Sequence, residues 1–237
     1  MNTIKWRTLQ TVIIIRHEFV LLLLQKQGKK NLSPDEGMTE AMNQSSKSNP
    51  PCSTSRFLTM SSGIATKYFF LDSDLASMGP AAADWSYRQL AEFKGIAEFD
   101  VIKGTTPADF LENGLVLLIV SDRVIKIMHE NHLSGFSTYR VRIRRNRSEI
   151  PGYHGLAIIG RGGPNDKSLE ESRIDPRSGK SYRKINGLRP TTWDGSDFFT
   201  LDDLYRVTLV TERVKSIFQK EKISNCLLEP AENFHAL

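Results

Sequence analysis

The sequence predicts an α+β fold in a single domain, made of two related strand–helix–strand halves and preceded by a disordered N-terminal extension. The first observation is an internal repeat, because residues 115–143 nearly recur as residues 204–234. The second is that strand-like and helix-like segments are mixed without long crossover connections, which favours α+β over a parallel α/β sheet. The third is size, since 237 residues with 39% hydrophobic composition can bury a substantial core.

The elements before the first repeat copy are short. Residues 67–71 (KYFFL) are an aromatic run typical of a strand, and residues 97–103 (AEFDVIK) alternate between apolar and polar positions as a half-buried strand does. A Gly-Pro-Ala loop at residues 78–84 lies between them. Thr106 followed by Pro107 predicts a helix of one or two turns, because Thr is a good N-cap residue and Pro is favoured at the first helical position.

The best-matched part of the repeat is the start of a helix. Val120-Ser121-Asp122-Arg123-Val124 aligns with Val210-Thr211-Glu212-Arg213-Val214. Ser and Thr are typical N caps because the hydroxyl accepts a hydrogen bond from a free amide of the first turn. The acid that follows lies where the helix dipole favours negative charge. Both copies are therefore predicted to form a strand that leads directly into a capped helix.

We expect the two repeat helices to bury matching apolar faces. Val124, Ile127 and Met128 recur at helical spacing in the first copy. Gly135 follows at a position that suits a left-handed stop. The corresponding residues of the second copy are Val214, Ile217, Phe218 and Asn225.

The segments between and after the helices predict further strands. Residues 138–144 (TYRVRIR) alternate, as an edge or half-buried strand would, and residues 156–159 are a short apolar run typical of a buried strand. Residues 161–184 are polar and predict a connection between strands. Residues 193–199 lead into the second repeat copy.

The first 59 residues differ in composition from the rest. They hold eight of the 32 Lys and Arg but only four of the 27 Asp and Glu, so most of the net charge of +5 belongs to them. Their apolar stretch, residues 9–24, is interrupted by Arg16-His17-Glu18 and falls short of the ~20 residues that span a bilayer. Residues 29–55, rich in Ser, Asn, Lys and Pro, are typical of disorder.

We therefore divide the chain into an extension of residues 1–59 and an α+β domain of residues 60–237. The extension is either disordered or an over-extended start, with Met60 or Met38 as the true first residue. A short interfacial or partner-binding helix and a membrane anchor are the alternatives for its apolar part.

The two cysteines, Cys52 and Cys226, are too few and too distant for a disulfide framework or a thiolate zinc site. Cys226 aligns with Phe136, which predicts a small core residue. Together with the lack of a clear export signal, this cysteine usage favours a cytoplasmic location.

Two motifs point to phosphate binding but have simpler structural interpretations. Residues 160–165 (GRGGPN) follow a strand, yet Pro164 continues a loop and no Gly-Lys-Ser or Gly-Lys-Thr follows, so we favour a turn. The basic cluster of residues 140–147 would suit a nucleic-acid-binding module. Alternation places three of its arginines on one face and predicts a solvated strand face; the near-neutral domain also argues against nucleic acid. These arginines are Arg140, Arg142 and Arg144.

An acidic segment beside Trp193 is the strongest candidate surface. Clustered carboxylates bind Mg²⁺ or Ca²⁺ in many proteins, so a small metal-dependent hydrolase or nuclease that uses Asp194 and Asp197 stays open as an alternative. The segment has neither an EF-hand pattern nor a histidine at a supporting spacing. Asp side chains that bond nearby backbone amides in turns are the simpler interpretation. We predict no catalytic, cofactor-binding or metal-binding residue.

Several short motifs carry a resemblance to a known family. In the second half they are Gly195-Ser196-Asp197-Phe198-Phe199, Leu209-Val210-Thr211-Glu212-Arg213-Val214 and Leu227-Leu228-Glu229-Pro230, and Ile119-Val120-Ser121-Asp122-Arg123-Val124 is the earlier copy. Over roughly residues 67–234 the chain resembles bacterial immunity proteins encoded beside polymorphic toxins. Paired CxxC motifs of some such proteins have no counterpart here, so no zinc site is carried over.

The resemblance implies a cytoplasmic, non-enzymatic protein whose partner is a cognate protein toxin. We expect neither a nucleic-acid partner nor a membrane span, and the oligomeric state stays open. Acidic loops are sensible contacts for a basic toxin, because complementary charge speeds association. The candidate contact residues are Trp193, Asp194, Asp197, Asp202 and Asp203.

Overall fold

A computed structural model describes residues 57–63, 67–74, 87–113 and 117–236. These residues form a mostly-β structure of three sheets with three short α-helices. Helices and strands are mixed as expected, but strands predominate far more than the α+β prediction implied. The predictions for residues 1–56 and for the loop at 78–84 lie outside the described residues.

The elements have the following bounds. The strands are β1 Phe57–Ser62, β2 Phe70–Asp74, β3 Ile96–Lys103, β4 Phe110–Leu111, β5 Leu118–Ser121, β6 Phe136–Arg145, β7 Ser148–Ile150, β8 Tyr153–Ile158, β9 Gly160–Gly162, β10 Glu170–Ile174, β11 Ser181–Asn186, β12 Phe198–Leu201, β13 Leu204–Thr211, β14 Cys226–Pro230 and β15 His235–Ala236. The helices are α1 Tyr87–Glu92, α2 Asp122–Glu130 and α3 Glu212–Lys220.

The largest sheet is a nearly closed barrel. Its strands follow the order β2-β3-β6-β8-β5-β4, and β7 adds to β6. Parallel bridges from Tyr68 to Thr106 and from Phe70 to Glu112 bring the last strand back towards the first. Closure removes exposed strand edges. The strands contribute fully buried side chains such as Phe99, Phe110, Ile119, Ile143 and Leu156.

A second sheet has the order β14-β1-β13-β12-β9, and a small third sheet has the order β10-β11-β15. Phe57 and Phe199 are buried in an apolar cluster beside the second sheet, with ring centroids 5.0 Å apart in an edge-on arrangement. Phe198 points to the other side and joins the main core with Phe218. The four-residue strand β12 therefore anchors two cores, because successive side chains of a strand point to opposite faces.

The internal repeat extends further than the sequence predicts. The order β14-β1-β13-β12 in the second sheet matches the order β6-β8-β5-β4 in the barrel. The registers match as well, since Met60 faces Thr208 and Leu228 on its two neighbours. In the barrel, Leu156 faces Leu118 and Thr138. Leu118 is the repeat counterpart of Thr208, and Thr138 is that of Leu228. Strands β1 and β8 are thus equivalent members of the two copies.

The two copies exchange these strands. We name residues 57–150 the first half and residues 151–236 the second half. Strand β1 of the first half lies between β13 and β14 of the second half, and β8 of the second half lies between β5 and β6 of the first. Each half therefore supplies a strand inside the sheet of the other. The predicted pair of strand–helix–strand units is present, but its members interlock and do not sit side by side.

The repeat helices confirm most of the predicted pattern. Val124, Ile127 and Met128 are buried on α2, while on α3 Val214 and Phe218 are buried and Ile217 is only partly so. Gly135 (φ 87°) and Asn225 (φ 58°) are left-handed as predicted, but each lies five residues beyond its helix, which ends at Glu130 or Lys220, so neither residue stops the helix.

The helix caps differ between the copies. The Ser121 hydroxyl accepts a hydrogen bond from the Val124 amide, as predicted. The Thr211 side chain makes no cap bond. Non-glycine residues in the left-handed region, His132 (φ 49°) and Lys222 (φ 51°), follow the helix ends directly and were not predicted.

Three element predictions are wrong in position or type. No helix begins at Thr106, because the next residues enter β4. Residues 161–184 are more than a polar connection, since they include most of β9, all of β10 and part of β11. The Asp175 side chain accepts from the Arg177 amide and the Ser178 hydroxyl, and these bonds stabilise the turn between β10 and β11. The aromatic strand expected at residues 67–71 is β2, shifted towards its C-terminal end.

The boundary placed between residues 59 and 60 runs through β1. Phe57 and Leu58 precede this boundary, yet they are 3% and 1% exposed. The folded part therefore reaches back at least to Phe57, and a start at Met60 would remove half of a strand that lies inside a sheet.

A chain that begins at Met60 should be less stable than one that begins at Phe57. It lacks two buried apolar side chains, worth about 3–6 kcal/mol of unfolding free energy together. Urea denaturation of the two chains and of the full chain measures the difference. Equal midpoints for the Met60 and Phe57 chains would contradict the placement of β1.

Candidate functional site

The Asp197 side chain is the centre of a polar cluster between the two halves. Its carboxylate is 9% exposed and lies 3.1 Å from the Arg213 guanidinium. It accepts hydrogen bonds from the Ser134 amide at 3.0 Å, the Ser134 hydroxyl at 3.3 Å and the Thr211 hydroxyl at 3.1 Å. The Asp197 amide in turn donates to the Ser134 hydroxyl. We name Asp197, Ser134, Thr211 and Arg213 the Asp197 centre.

A second cluster repeats this arrangement around Asp109. Its carboxylate is 12% exposed and lies 2.9 Å from the Arg123 guanidinium. It accepts from the Ser224 amide at 2.9 Å, the Ser224 hydroxyl at 3.0 Å and the Ser121 hydroxyl at 2.9 Å. The Asp109 amide donates to the Ser224 hydroxyl. We name Asp109, Ser224, Ser121 and Arg123 the Asp109 centre.

Each centre joins the halves in the same way. The aspartate and the arginine come from one half, and the serine comes from the loop that follows the helix of the other half. Arg213 also donates to the Asn131 carbonyl, and Arg123 donates to the Glu221 carbonyl, so each guanidinium closes the end of the opposite helix. A carboxylate with this many donors is firmly held, because hydrogen bonds to charged groups are the strong ones.

The sequence did not reveal this pairing. Asp109 was not singled out, although Asp109-Phe110 and Asp197-Phe198 stand at matching places before the two copies. The shared Asp-Phe dipeptide, together with the aligned Ser121 and Thr211, is the sequence signal that each repeat copy begins earlier, at Asp109 and at Asp197.

Asp194 forms the Asx turn that the simpler interpretation predicts. Its carboxylate accepts from the Ser196 amide at 2.9 Å, from the Ser196 hydroxyl and from the Arg161 amide at 2.7 Å. Burial opposes ionisation, but these hydrogen bonds outweigh it and hold the pKa of Asp194 below its ordinary value. The residue is still exposed at the surface of the turn.

The five candidate contact residues do not form one cluster. Asp197 precedes β12 and Asp202 follows it, so the four residues of the strand lie between them and extended chain would hold them roughly 17 Å apart. Asp203 accepts from the Asn165 amide at 2.9 Å and pairs with Arg183 at 3.1 Å. Trp193 donates through Nε1 to the Ser196 carbonyl and is partly buried. Asp202 is exposed in the turn between β12 and β13.

The glycine-rich segment at residues 160–165 is structural. A Cβ atom at Gly160 would lie 2.0 Å from the Ser196 hydroxyl, and one at Gly163 would lie 2.5 Å from the Thr192 hydroxyl. Asn165 is fully buried and accepts from the Arg189 amide at 2.8 Å. No α-helix opens at this segment, but the predicted turn is wrong, because Gly160–Gly162 form strand β9 beside β12 and Asn165 bridges to Pro190.

The basic strand face is confirmed. Tyr139 and Ile143 point inward, and the arginines between and beside them lie on the other face of β6. Arg142 and Arg144 both pair with Glu98, at 2.5 and 3.0 Å. The hydrogen bond from Arg142, followed by the charge of Arg144, lowers the pKa of Glu98 despite some opposing burial.

Two further observations bear on the alternatives. Among the described residues, no three His, Cys, Asp or Glu side chains are grouped to hold a metal ion. No helix in the described ranges is both long and apolar enough to cross a membrane.

Cys226 lies at the end of α3's connecting loop and packs against the main core. Burial, and to a smaller degree the nearby Asp109 carboxylate, raises the pKa of the thiol from 9.0 to about 12. The side chain is partly buried against the core, as is Phe136 in the other copy, so the predicted core position holds only in part.

Replacing either central aspartate should destabilise the whole chain. Asp109→Ala and Asp197→Ala should each lower the free energy of unfolding by about 2–4 kcal/mol, because several donors lose a charged acceptor. Urea denaturation measures the loss. The control is Asp202→Ala, which removes an exposed acid directly after β12 and should lower the free energy of unfolding by about 0.5 kcal/mol or less.

A double-mutant cycle separates the centres. Ser134→Ala should be non-additive with Asp197→Ala, whereas Ser224→Ala should add to it, because coupling is confined to groups in contact. The reverse pattern would show that the serines are assigned to the wrong aspartates.

The Cys226 thiol should resist alkylation in the folded protein. At pH 8 it stays protonated, and only the thiolate is the nucleophile. Since the folded pKa lies above the unfolded one, the unfolded chain loses this proton first, and stability should fall as pH rises from about 9 to 12. Peptide mass spectrometry after iodoacetamide treatment, with and without urea, measures the reactivity. Rapid native labelling of Cys226 would show that the thiol is accessible.

No protein-family model matches this chain, and no curated protein gives a significant match.

Proposed function

We propose that this protein is a non-enzymatic immunity protein that binds and neutralises a cognate bacterial toxin in the cytoplasm. The observation that supports it most is that the residues of the family-like motifs contact each other. Asp197 of the Gly-Ser-Asp-Phe-Phe motif binds Thr211 and Arg213 of the Val-Thr-Glu-Arg-Val motif. The residues that carry the resemblance are therefore joined in space at the junction between the halves.

A metal-dependent hydrolase that uses Asp194 and Asp197 is less well supported. A metal site needs carboxylate oxygens that are free to coordinate the ion. The Asp197 oxygens accept from Ser134, Thr211 and Arg213, and those of Asp194 accept from two backbone amides. The Asp194 oxygens therefore stabilise a turn, and the Asp197 oxygens stabilise the junction between the halves.

A nucleic-acid-binding module that uses residues 140–147 also has weaker support. Phosphate binding depends on cationic side chains that are available to the backbone of the nucleic acid. Arg142 and Arg144 share Glu98, and Arg142 also lies 3.7 Å from Glu149. This strand face is charge-balanced along much of its length.

The toxin-contact surface needs revision within this proposal. Asp197 and Asp203 support the fold, so changing them would confound binding with stability. Asp202 is an exposed acid in a turn, where complementary charge would act mainly on the association rate. We place one contact of the toxin at this turn, with Asp194 and the exposed edge of Trp193 as a second, separate region.

Charge reversal at the turn tests this surface. Asp202→Lys should leave the unfolding free energy nearly unchanged and slow association with the co-encoded toxin domain about threefold to tenfold at low salt. The matched control is Glu130→Lys, the same charge change on an exposed residue of α2. Surface plasmon resonance measures the rate, and growth of cells that express the toxin measures protection.

The outcomes separate the surface from the function. Full protection and an unchanged rate for Asp202→Lys would remove this turn from the contact surface. Failure of the unaltered protein to bind or protect against the toxin domain encoded beside its gene would overturn the proposed function. Multiple turnover of a substrate by the purified protein would overturn its non-enzymatic nature.

A further inference from the structure

The interface between the two halves is a complete recognition surface. It consists of β1 between β13 and β14, β8 between β5 and β6, and the two aspartate centres. The strand pairs join the first half to the second, and in each aspartate centre the bonds from the serine of the opposite loop, Ser134 or Ser224, do the same. Nothing in them requires that the two halves belong to the same chain.

We propose that a second copy of this chain can occupy this interface, so that the first half of each chain is completed by the second half of the other. In such an exchanged dimer the strand pairs and both aspartate centres re-form between chains. The two states then differ only at the connection between the halves and in the entropy of association. Exchange of identical elements is a low-cost route to dimers for this reason.

The connection between the halves is short and has the features of a hinge. Strand β7 folds back on β6, with Ile150 opposite Ile143, and only Pro151 and Gly152 separate it from β8. Gly152 is in the left-handed region with φ 86°. Its carbonyl accepts from the Asp122 amide at 2.8 Å, which holds the closed turn in place. Extending these two residues would carry β8 away from its own β6.

Gly152 is the position that controls the choice. A Cβ atom there would come no closer than 3.5 Å to the Asp122 carboxylate, so alanine fits the closed turn sterically. The φ angle is nevertheless one that L-residues avoid, and an open hinge relieves this conflict. Replacing Gly152 should therefore favour the exchanged dimer without damaging either half.

The test uses the full chain with Gly152→Ala and, as a stronger variant, Gly152→Val. Each hinge should contribute about fivefold, so the dimerisation constant of Gly152→Ala should rise ~25-fold. The proteins are unfolded in urea, refolded at high concentration and measured by size-exclusion chromatography with light scattering. The control is Gly179→Ala, because Gly179 has a similar φ of 66° and open space around it, but lies in the β10–β11 hairpin.

A cross-link identifies which parts are exchanged. Thr59 on β1 faces Glu229 on β14. Thr59→Cys with Glu229→Cys, with Cys52 and Cys226 changed to alanine, should give a disulfide between chains in the Gly152→Ala dimer and within the chain in the monomer. Non-reducing electrophoresis separates the two.

Every result decides the proposal. A Gly152-dependent dimer joined by the interchain disulfide supports it. Unchanged dimerisation in both Gly152 variants, an equal rise for Gly179→Ala, or a dimer whose disulfides stay within each chain would overturn it.

Discussion

The structure depends on two carboxylates, the buried Asp197 and the largely buried Asp109, each of which ties one half of the chain to the other. Each accepts hydrogen bonds from a serine amide and hydroxyl across the junction and pairs with an arginine on its own side. A charge with so little exposure is tolerated only when it is paired and hydrogen-bonded. The two loops after the helices are therefore fixed in place, and the helices and strands next to them are fixed with them.

Because the halves exchange strands, this junction is part of the core and is not an interface between two separately folded domains. Because β1 and β8 each lie inside the sheet of the other half, neither sheet is complete without both halves. The aromatic side chains next to the aspartates, Phe110 and Phe198, are fully buried and both pack near Phe218, at centroid distances of 6.0 and 6.3 Å. The hydrogen bonds of the aspartates and the packing of the adjacent phenylalanines thus stabilise the same junction, which favours cooperative unfolding of the two halves.

This arrangement changes how the acidic residues near Trp193 are interpreted. Sequence proximity groups Asp194, Asp197, Asp202 and Asp203, but the fold gives them separate tasks: an Asx turn, a junction between halves, an exposed turn and a support for Asn165. The two acids left exposed, Asp194 and Asp202, lie in separate turns.

The sequence by itself determined the local features, namely the strand-to-helix start at Ser121 and Thr211, the buried faces around Val124 and Val214, the left-handed Gly135 and Asn225, and the alternating strand of arginines. Each depends on near neighbours in the chain, so pattern and propensity suffice. Only the tertiary structure decided that Asp109 is not in a helix, that Phe57 and Leu58 belong to the fold, and that Asp197 lies within the core. Those outcomes depend on partners between 63 and 170 residues away in the chain, and spacing along the sequence carries no information about which distant strand or serine will fill a given place.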